Sequence, residues 1–228
     1  MLYRHMNRLL FFRALFLAFN LLALVGQSHG QEELKRTFQG GSGTYQLVDG
    51  TRHNAKIKVR VSEPAAVEVR EQGQAEPVQL RLAQIKQLTV GRDTFVVLRN
   101  FWIPRFKQKG FRYVQDALDT VLVAEALLQR HINRGGLELL RYVGTMAENS
   151  PAMGGTSFGS TEYYSCFLFR RGREGAHRTV AGEPAPLKKF FAPVVADKPA
   201  VRDFLISTTF VELKLPRILD IYLISKGY

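Results

Sequence analysis

One stretch of the chain alternates basic with aromatic side chains, and a second is a cluster of arginines; both contain residue types that bind anionic surfaces. The first is FWIPRFKQKGFRY, residues 101–113, which contains the sole tryptophan of the 228-residue chain. The second is FRRGREGAHR, residues 169–178. Basic side chains attract phosphate or carboxylate groups, and aromatic rings pack on apolar or planar parts of a ligand. The predicted anion-binding surface consists of Trp102, Arg105, Lys107, Lys109, Arg112, Arg170, Arg171 and Arg173.

These stretches also have a purely structural interpretation. In it, the aromatic rings fill the core, while the basic side chains extend along apolar surface and keep their charges in water. The residue types alone do not decide between the two interpretations.

Cys166 is the single cysteine of the chain, so no intramolecular disulfide can form. It lies in the aromatic run YYSCFLF, which is typical of a buried strand whose thiol is inert. His177 is its natural histidine partner if residues 163–171 and 178–181 pair as a hairpin. The aromatic setting favours an inert thiol over a catalytic Cys–His pair.

The sequence contains no recognisable motif for other chemistry. Beyond the first 30 residues, the histidines are His53, His131 and His177, which are far apart, and no HExxH, CxxC or DxDxDG pattern occurs. Glycine–serine pieces at 40–43 and 158–161 lack the flanking residues of a hydrolase nucleophile or a phosphate loop. The sequence therefore predicts no catalytic residue, no metal site and no cofactor.

The first 30 residues have the pattern of a secretory signal peptide. Arg4 and Arg8 form a positive start, residues 14–25 are a short apolar run, and small residues lead up to Gly30. Cleavage near Gly30 leaves 198 residues with a net charge of +9, because the leader holds three arginines and no acid. The alternative is an uncleaved transmembrane helix, but such a span includes Arg13, whose charge is costly inside a bilayer.

Short runs of alternating apolar and polar residues between residues 44 and 98 predict an antiparallel sheet with one solvent-exposed face. In AKIKVRV, residues 55–61, three apolar side chains alternate with three basic ones. A half-buried strand places those basic side chains, Lys56, Lys58 and Arg60, in water. The preceding Asp49-Gly50 pair favours a tight hairpin turn.

The central segment Asp116–Gly136 fits two structures. Apolar residues at near-helical spacing, acids in the first turn and basic residues in the last turn favour an α-helix that ends at the glycines. The run VLVAEALL also fits a buried strand, which the turn Arg134-Gly135-Gly136 would join to residues 137–143 as a hairpin. The helix is the preferred prediction.

The remaining residues complete an α+β fold. Residues 150–161 are predicted to form a long loop, residues 163–171 and 178–181 strands, and the tail a helix at 187–191 limited by Pro193. A second helix is capped by Asp197, and a third starts at Pro216. The predicted fold is an antiparallel β-sheet in the N-terminal half, able to curl toward a barrel, with a short helical C-terminal tail packed on it. The predicted organisation is a signal peptide at 1–30, a flexible lead-in at 31–43 and a single domain at 44–228, strand-rich over 44–181 and helical over 183–226.

The layout resembles a group of uncharacterised exported proteins of Bacteroidetes-type bacteria. The resemblance covers most of residues 44–225 and rests on the leader, the Asp-Gly turn, the pattern LELLRYV at 137–143 and the tail LKKFFAPVVADKP at 187–199. The resemblance implies that the protein is located in the cell envelope. No activity and no catalytic residues come with it.

These observations together favour an exported binding or structural protein over an enzyme. Export argues against nucleic acid as the partner of the basic-aromatic surface and favours an anionic envelope component, either a lipid headgroup or a polysaccharide. Two alternatives remain open: an envelope hydrolase with polar residues near the 150–161 loop, and a protein tethered by an uncleaved first helix.

Overall fold

The structure is a computed structural model that describes the backbone at residues 38–62, 64–109, 112–147, 161–172, 175–209 and 211–228. Side chains are described for the same residues, except 38, 106–109, 112–118, 146–147 and 161–163. The predicted signal peptide, residues 150–160 of the predicted loop and Arg173 lie outside the described residues.

Ten strands form one sheet in which the pairings of described strands are antiparallel, and three helices follow at the C-terminus. The strands are β1 Phe38–Leu47, β2 Arg52–Arg60, β3 Ala66–Glu71, β4 Val78–Leu80, β5 Ile85–Val90, β6 Asp93–Lys109, β7 Arg112–Arg134, β8 Leu137–Ala147, β9 Thr161–Arg171 and β10 Arg178–Ala181. The helices are α1 Pro184–Val194, α2 Pro199–Ser207 and α3 Val211–Ser225. The predicted α+β class is confirmed, although the sheet continues well past the N-terminal half.

The sheet has the order β10-β9-β8-β7-β6-β5-β1-β2-β3-β4, so it is open, with β10 and β4 at its edges. Only four residues separate the end of β4 from the start of β5, and the five Cα-to-Cα steps from Leu80 to Ile85 reach about 17 Å when extended. A flat sheet would place these two strands about 19 Å apart, at four strand spacings. The N-terminal part of the sheet must therefore curl. Arg99 confirms the curl, because its Nη2 donates to the carbonyl oxygens of Leu82 and Ala83 in the short 3-10 helix between β4 and β5.

The curled part of the sheet encloses a core of its own. Its apolar residues alternate along each strand, as predicted for residues 55–61: Ile57, Val59 and Val61 are 1–2% exposed, while Lys56 and Lys58 are exposed. This N-terminal core consists of Tyr45, Ile57, Val59, Val61, Val67, Val69, Ile85, Leu88, Val90, Phe95 and Leu127. The basic side chains of this segment thus lie on the solvent-exposed face of β2, as expected.

Strands β6 and β7 extend far beyond the neighbours with which they pair. β5 pairs with β6 only up to Val96, and β8 pairs with β7 only from Gln129 onward. Residues 101–109 and 112–123 thus form a two-stranded arm, and β6 enters it through Asn100, whose φ is +53°. One face of the arm packs on β8 and β9. The resulting arm-side core is Val96, Phe101, Ile103, Val123, Ala126, Leu128, Leu140, Tyr142, Cys166 and Leu168.

The three helices cover the opposite face of β8, β9 and β10. Leu139, Phe167 and Phe169 lie under them and are buried. The helix-side core is completed by residues of the helices themselves, among them Leu187, Phe191, Leu205, Leu215, Ile218, Leu219 and Leu223. β8 and β9 are therefore buried on both faces. Within the part of the chain that the structure describes, no helix is both long enough and apolar enough to span a membrane.

The preferred prediction of a helix over Asp116–Gly136 is wrong. The segment belongs to β7, which turns through Gly135 and Gly136 into β8, as the alternative prediction held. The reason is burial on both faces: Leu127 belongs to the N-terminal core, while Ala126 and Leu128 face the arm-side core. A strand buried on both faces carries a continuous apolar run, which a short segment of helix can match.

Three boundaries also differ from the predictions. Residues 38–43, assigned to the lead-in, belong to β1, where Gly43 pairs with Val90. Asp197 does not cap α2; the capping position is Lys198, and Asp197 is bonded to Lys226 instead. α3 begins at Val211, so Pro216 lies within it rather than at its start.

Candidate functional site

Strand β10 brings the two basic-aromatic stretches together. It pairs with β9 along one edge, and on the other side its Thr179 hydroxyl donates to the main-chain oxygen of Trp102 in the arm, at 2.6 Å. Trp102 belongs to the first stretch, and Arg178, next to Thr179, to the second. Residues more than seventy positions apart in the sequence thus share one surface.

A groove of about 770 Å³ lies at this surface, between α1 and β10. We call it the α1–β10 groove. Its walls are mostly apolar, and its size is that of a small-molecule binding site. The lining residues are Pro104, Phe169, Arg171, Ala176, Arg178, Thr179, Val180, Ala181, Glu183, Pro186, Lys189, Phe190, Pro193 and Val194.

Three exposed basic residues, Arg171, Arg178 and Lys189, line the groove. Glu183 is the only acid among the described lining residues, and these residues together carry an excess of positive charge. Among the described residues, none of the three cations forms an ion pair. The guanidinium of Arg178 lies over the ring of Phe190, 4.8 Å from its centroid, a favourable cation–π geometry that leaves the charge available to a ligand.

The predicted surface residues are divided between several places. Trp102 is exposed and Arg171 lines the groove. Arg105 is bound to Asp119, with 3.3 Å between Nε and Oδ2. Arg170 is bound to Glu138 and is therefore engaged within the protein. Three further residues, Lys107, Lys109 and Arg112, lie at the far end of the arm, where their side chains are outside the described set.

Lys189 and Phe190 are groove residues that lie outside the two stretches from which the anion-binding surface was predicted. They belong to LKKFF in α1. The helical spacing of this segment predicted the helix, but it did not predict which side chains face the groove. The adjacent lysine and phenylalanines were a usable signal, since the same pairing of residue types marked the other two stretches.

A second cavity, of about 420 Å³, adjoins the groove on the arm side of β10, and we call it the Trp102 pocket. The groove and the pocket share Pro104, Ala176 and Thr179. The pocket is lined by Leu98, Arg99, Asn100, Phe101, Trp102, Pro104, Thr120, Ala176, His177 and Thr179. It is more polar than the groove, since amide, hydroxyl, imidazole and guanidinium groups contribute to it.

Beside the pocket, the carboxylate of Glu138 binds three basic side chains. Arg130 Nη2 and His177 Nε2 each lie 3.0 Å from one of its oxygens, and Arg170 Nη2 donates to the oxygen that His177 contacts. Only 6% of the Glu138 side chain is exposed. The hydrogen bond with His177 lowers the pKa of Glu138, and the charges of Arg130 and Arg170 lower it further against the opposing effect of burial. Glu138 thus joins β7, β8, β9 and the segment before β10.

Cys166 and His177 do not form the pair that their sequence positions allowed. The hairpin of β9 and β10 exists, but its register places Cys166 opposite Ala181 and Arg178 opposite Phe169. His177 is engaged with Glu138 instead. Burial, with a smaller contribution from the charge of Glu183, raises the pKa of the Cys166 thiol to about 12, so the thiol is a packing group.

Comparison of the chain with models of known protein families, with curated proteins and with solved structures finds no match.

Proposed function

We propose that this protein is exported to the cell envelope and there binds an anionic, hydrocarbon-bearing lipid in the α1–β10 groove, without catalysing a reaction. The leader pattern and the resemblance to exported proteins support the location. The observation that carries the ligand class is a set of three cations, Arg171, Arg178 and Lys189, around an apolar groove, none of which forms an ion pair with another described residue.

The charges of the groove favour an anionic ligand. Among the groove residues that the structure describes, three cations face a single acid, so a phosphate or carboxylate headgroup supplies the missing counter-charge. Binding of this kind weakens as salt screens the charges.

The apolar walls favour a lipid over a polysaccharide. Phe169, Phe190 and Val180 contribute to the walls, together with three prolines. A hydrocarbon chain placed there is removed from water at a gain of about 25 cal/mol per Å² of apolar surface buried. A polysaccharide has little apolar surface to offer to such walls.

The test is co-sedimentation with phosphatidylcholine vesicles, with and without phosphatidylglycerol, at low and high salt. We expect binding only to the anionic vesicles and a lower bound fraction at high salt. The Arg171→Glu/Arg178→Glu variant should bind at least about tenfold more weakly, a loss of about 1.4 kcal/mol. The matched control is Lys56→Glu/Lys58→Glu, which makes the same change in net charge on the exposed face of β2.

Equal loss in both variants would show that overall charge, rather than the groove, governs binding. Equal recovery of the wild-type protein with neutral and anionic vesicles would remove the proposal.

A second candidate function is an envelope hydrolase. The observation that favours it is the contact of His177 with the buried Glu138 at the edge of the Trp102 pocket, the arrangement of a general base and its orienting carboxylate. Against it, Arg130 and Arg170 bind the same carboxylate, which leaves less of its charge to stabilise a protonated imidazole. Hydrolysis of simple esters that is abolished in His177→Ala would favour this candidate over the binding protein.

In the tethered alternative, the leader is not cleaved and anchors the protein to the membrane. N-terminal sequencing of the exported protein distinguishes a start near Gln31 from an intact leader.

A further inference from the structure

Trp102 is exposed in a strand whose neighbouring side chains are buried. The residue is 57% exposed, whereas Phe101 and Ile103 are 7% and 1% exposed in the arm-side core. Leu122, directly opposite on β7, is also exposed. Trp102 therefore does not fill the core, and it presents an apolar ring at the edge of a cavity.

The polar groups around the ring are mostly neutral or already paired. Asn100 contributes an amide, and Thr120 and Thr179 contribute two hydroxyls. The amide and the Thr120 hydroxyl can both donate and accept, whereas the Thr179 hydroxyl donates to the Trp102 carbonyl and is left to accept. The charged members of the pocket are engaged, because Arg99 Nε lies 2.8 Å from Glu125 and His177 is bound to Glu138. The Trp102 pocket thus offers an aromatic face and neutral hydrogen-bonding groups.

We infer that the Trp102 pocket binds a sugar ring, so that the ligand of the adjoining groove is a glycosylated anionic lipid. A pyranose ring has a face of C–H bonds, which packs on an aromatic ring, and a rim of hydroxyls, which donate and accept hydrogen bonds. An aromatic platform beside an amide and two hydroxyls complements both features. A simple anion does not need such a pocket, and a hydrocarbon chain leaves its polar groups without partners.

The groove and the pocket adjoin, so a single ligand molecule can extend through both. The groove and the pocket share Pro104, Ala176 and Thr179, so a headgroup sugar and an acyl chain can occupy them together. Arg178 adjoins Thr179 and lies where a phosphate linking the two parts would pass. This part of the inference rests on the proposed lipid-binding function.

Asn100 allows the pocket to be altered without disturbing the backbone. Its φ of +53° is adopted readily by glycine, so Asn100→Gly removes the amide and keeps the bend at which β6 enters the arm. The matched control is Asn54→Gly, the same change on the exposed part of β2, far along the sheet from the pocket.

The test compares two probes in phosphatidylcholine vesicles at equal negative charge: lipid A, a phosphorylated and acylated glucosamine disaccharide, and phosphatidylglycerol. Trp102 is the sole tryptophan, so its emission reports binding at the pocket directly. We expect wild-type protein to bind the lipid A vesicles at least about tenfold more tightly, with a shift of the Trp102 emission. Asn100→Gly should reduce that preference and leave phosphatidylglycerol binding unchanged, while Asn54→Gly should alter neither.

Equal affinity of the wild-type protein for both vesicles would overturn the inference and leave the proposed lipid binding intact. Equal effects of Asn100→Gly and Asn54→Gly would overturn it as well. Soluble chitobiose separates the two proposals: if it shifts the Trp102 emission while neither vesicle binds, the sugar site stands and the proposed lipid binding falls.

Discussion

At the scale of single residues, Glu138 is the carboxylate on which three strands and the segment before β10 converge. Arg130, Arg170 and His177 all bind it, and it is almost fully buried. A buried carboxylate is tolerated only when it is paired, and here its partners come from different parts of the chain. The cluster therefore fixes the position of His177, and with it the start of β10, beside the Trp102 pocket.

Replacing Glu138 by glutamine is expected to lower the free energy of unfolding by about 3 kcal/mol, the low end of the range for breaking a buried ion pair. The low end applies because Arg130 and Arg170 are partly exposed, and water compensates part of the loss. Urea denaturation followed by circular dichroism measures the change. The control is Asp203→Asn, which removes an exposed partner of Arg202 and should cost less than about 1 kcal/mol.

The same carboxylate predicts a pH dependence. Its pKa in the folded protein lies below the ordinary value of 4.5, so its stabilising contribution is fully present above that value. The contribution is lost as the pH falls from there through the lower folded pKa, because the unfolded chain takes up the proton first. Urea unfolding at decreasing pH should therefore show a steeper loss of stability in the wild type than in Glu138→Gln. Parallel curves for the two proteins would contradict this assignment.

At the scale of elements, the turn between β7 and β8 links the sheet to the last helix. Gly135 and Gly136 have φ of +58° and +73°, and positive values at both central residues are what the commonest two-residue hairpin turn requires. A Cβ at Gly135 would lie 2.7 Å from Leu223 and 2.9 Å from the ring of Tyr228, whereas a Cβ at Gly136 would meet nothing within 4 Å. The two glycines thus share a backbone requirement and differ in packing.

Alanine at each glycine separates the two effects. Gly136→Ala should lower the free energy of unfolding by about 1–2 kcal/mol, because a left-handed backbone conformation is unfavourable for a residue with a Cβ. Gly135→Ala should cost about 1–3 kcal/mol more, because Leu223 and Tyr228 must move. Thermal and urea unfolding measure the loss of stability in the two variants. Equal losses would mean that Leu223 and Tyr228 move aside without a cost in stability.

At the scale of the whole molecule, β8 and β9 form a central layer between the arm and the helices. Cys166 and Leu168 face the arm-side core, and Phe167 and Phe169 face the helix-side core. The α1–β10 groove and the Trp102 pocket lie at the edge of this layer, where β10 meets α1 on one side and the arm on the other. The candidate site consequently depends on both outer layers being in place.

Leu219 tests the contribution of the helical layer. It is fully buried in α3, and Leu219→Ala should lower the free energy of unfolding by about 2–5 kcal/mol through lost burial and a residual cavity. Ile224 in the same helix is 61% exposed, so Ile224→Ala should change it by less than about 0.5 kcal/mol. Denaturant unfolding of both variants measures the difference, and a small loss for Leu219→Ala would mean that the helices contribute little to the sheet they cover.

The sequence by itself determined the elements that show one face to water. Residues 55–61 alternate between apolar and basic side chains because one face of β2 is buried. Asp49-Gly50 forms the expected turn, in which the Gly50 amide donates a hydrogen bond to the Leu47 carbonyl. β10 matches its predicted range of residues 178–181. Such features follow from local periodicity and turn chemistry, which are written into a few consecutive residues.

Only the tertiary structure decided the rest. Within Asp116–Gly136, residues 126–128 are buried on both faces, and Val121 and Leu122 are apolar although exposed, so no alternation remained and the local pattern resembled a helix until the neighbouring layers were known. The meeting of Trp102 with Thr179, and of Arg170 and His177 with Glu138, depends on strand register and on the bend at Asn100. These contacts join residues tens of positions apart, and no local pattern specifies them, because they follow from how the whole sheet curls and packs.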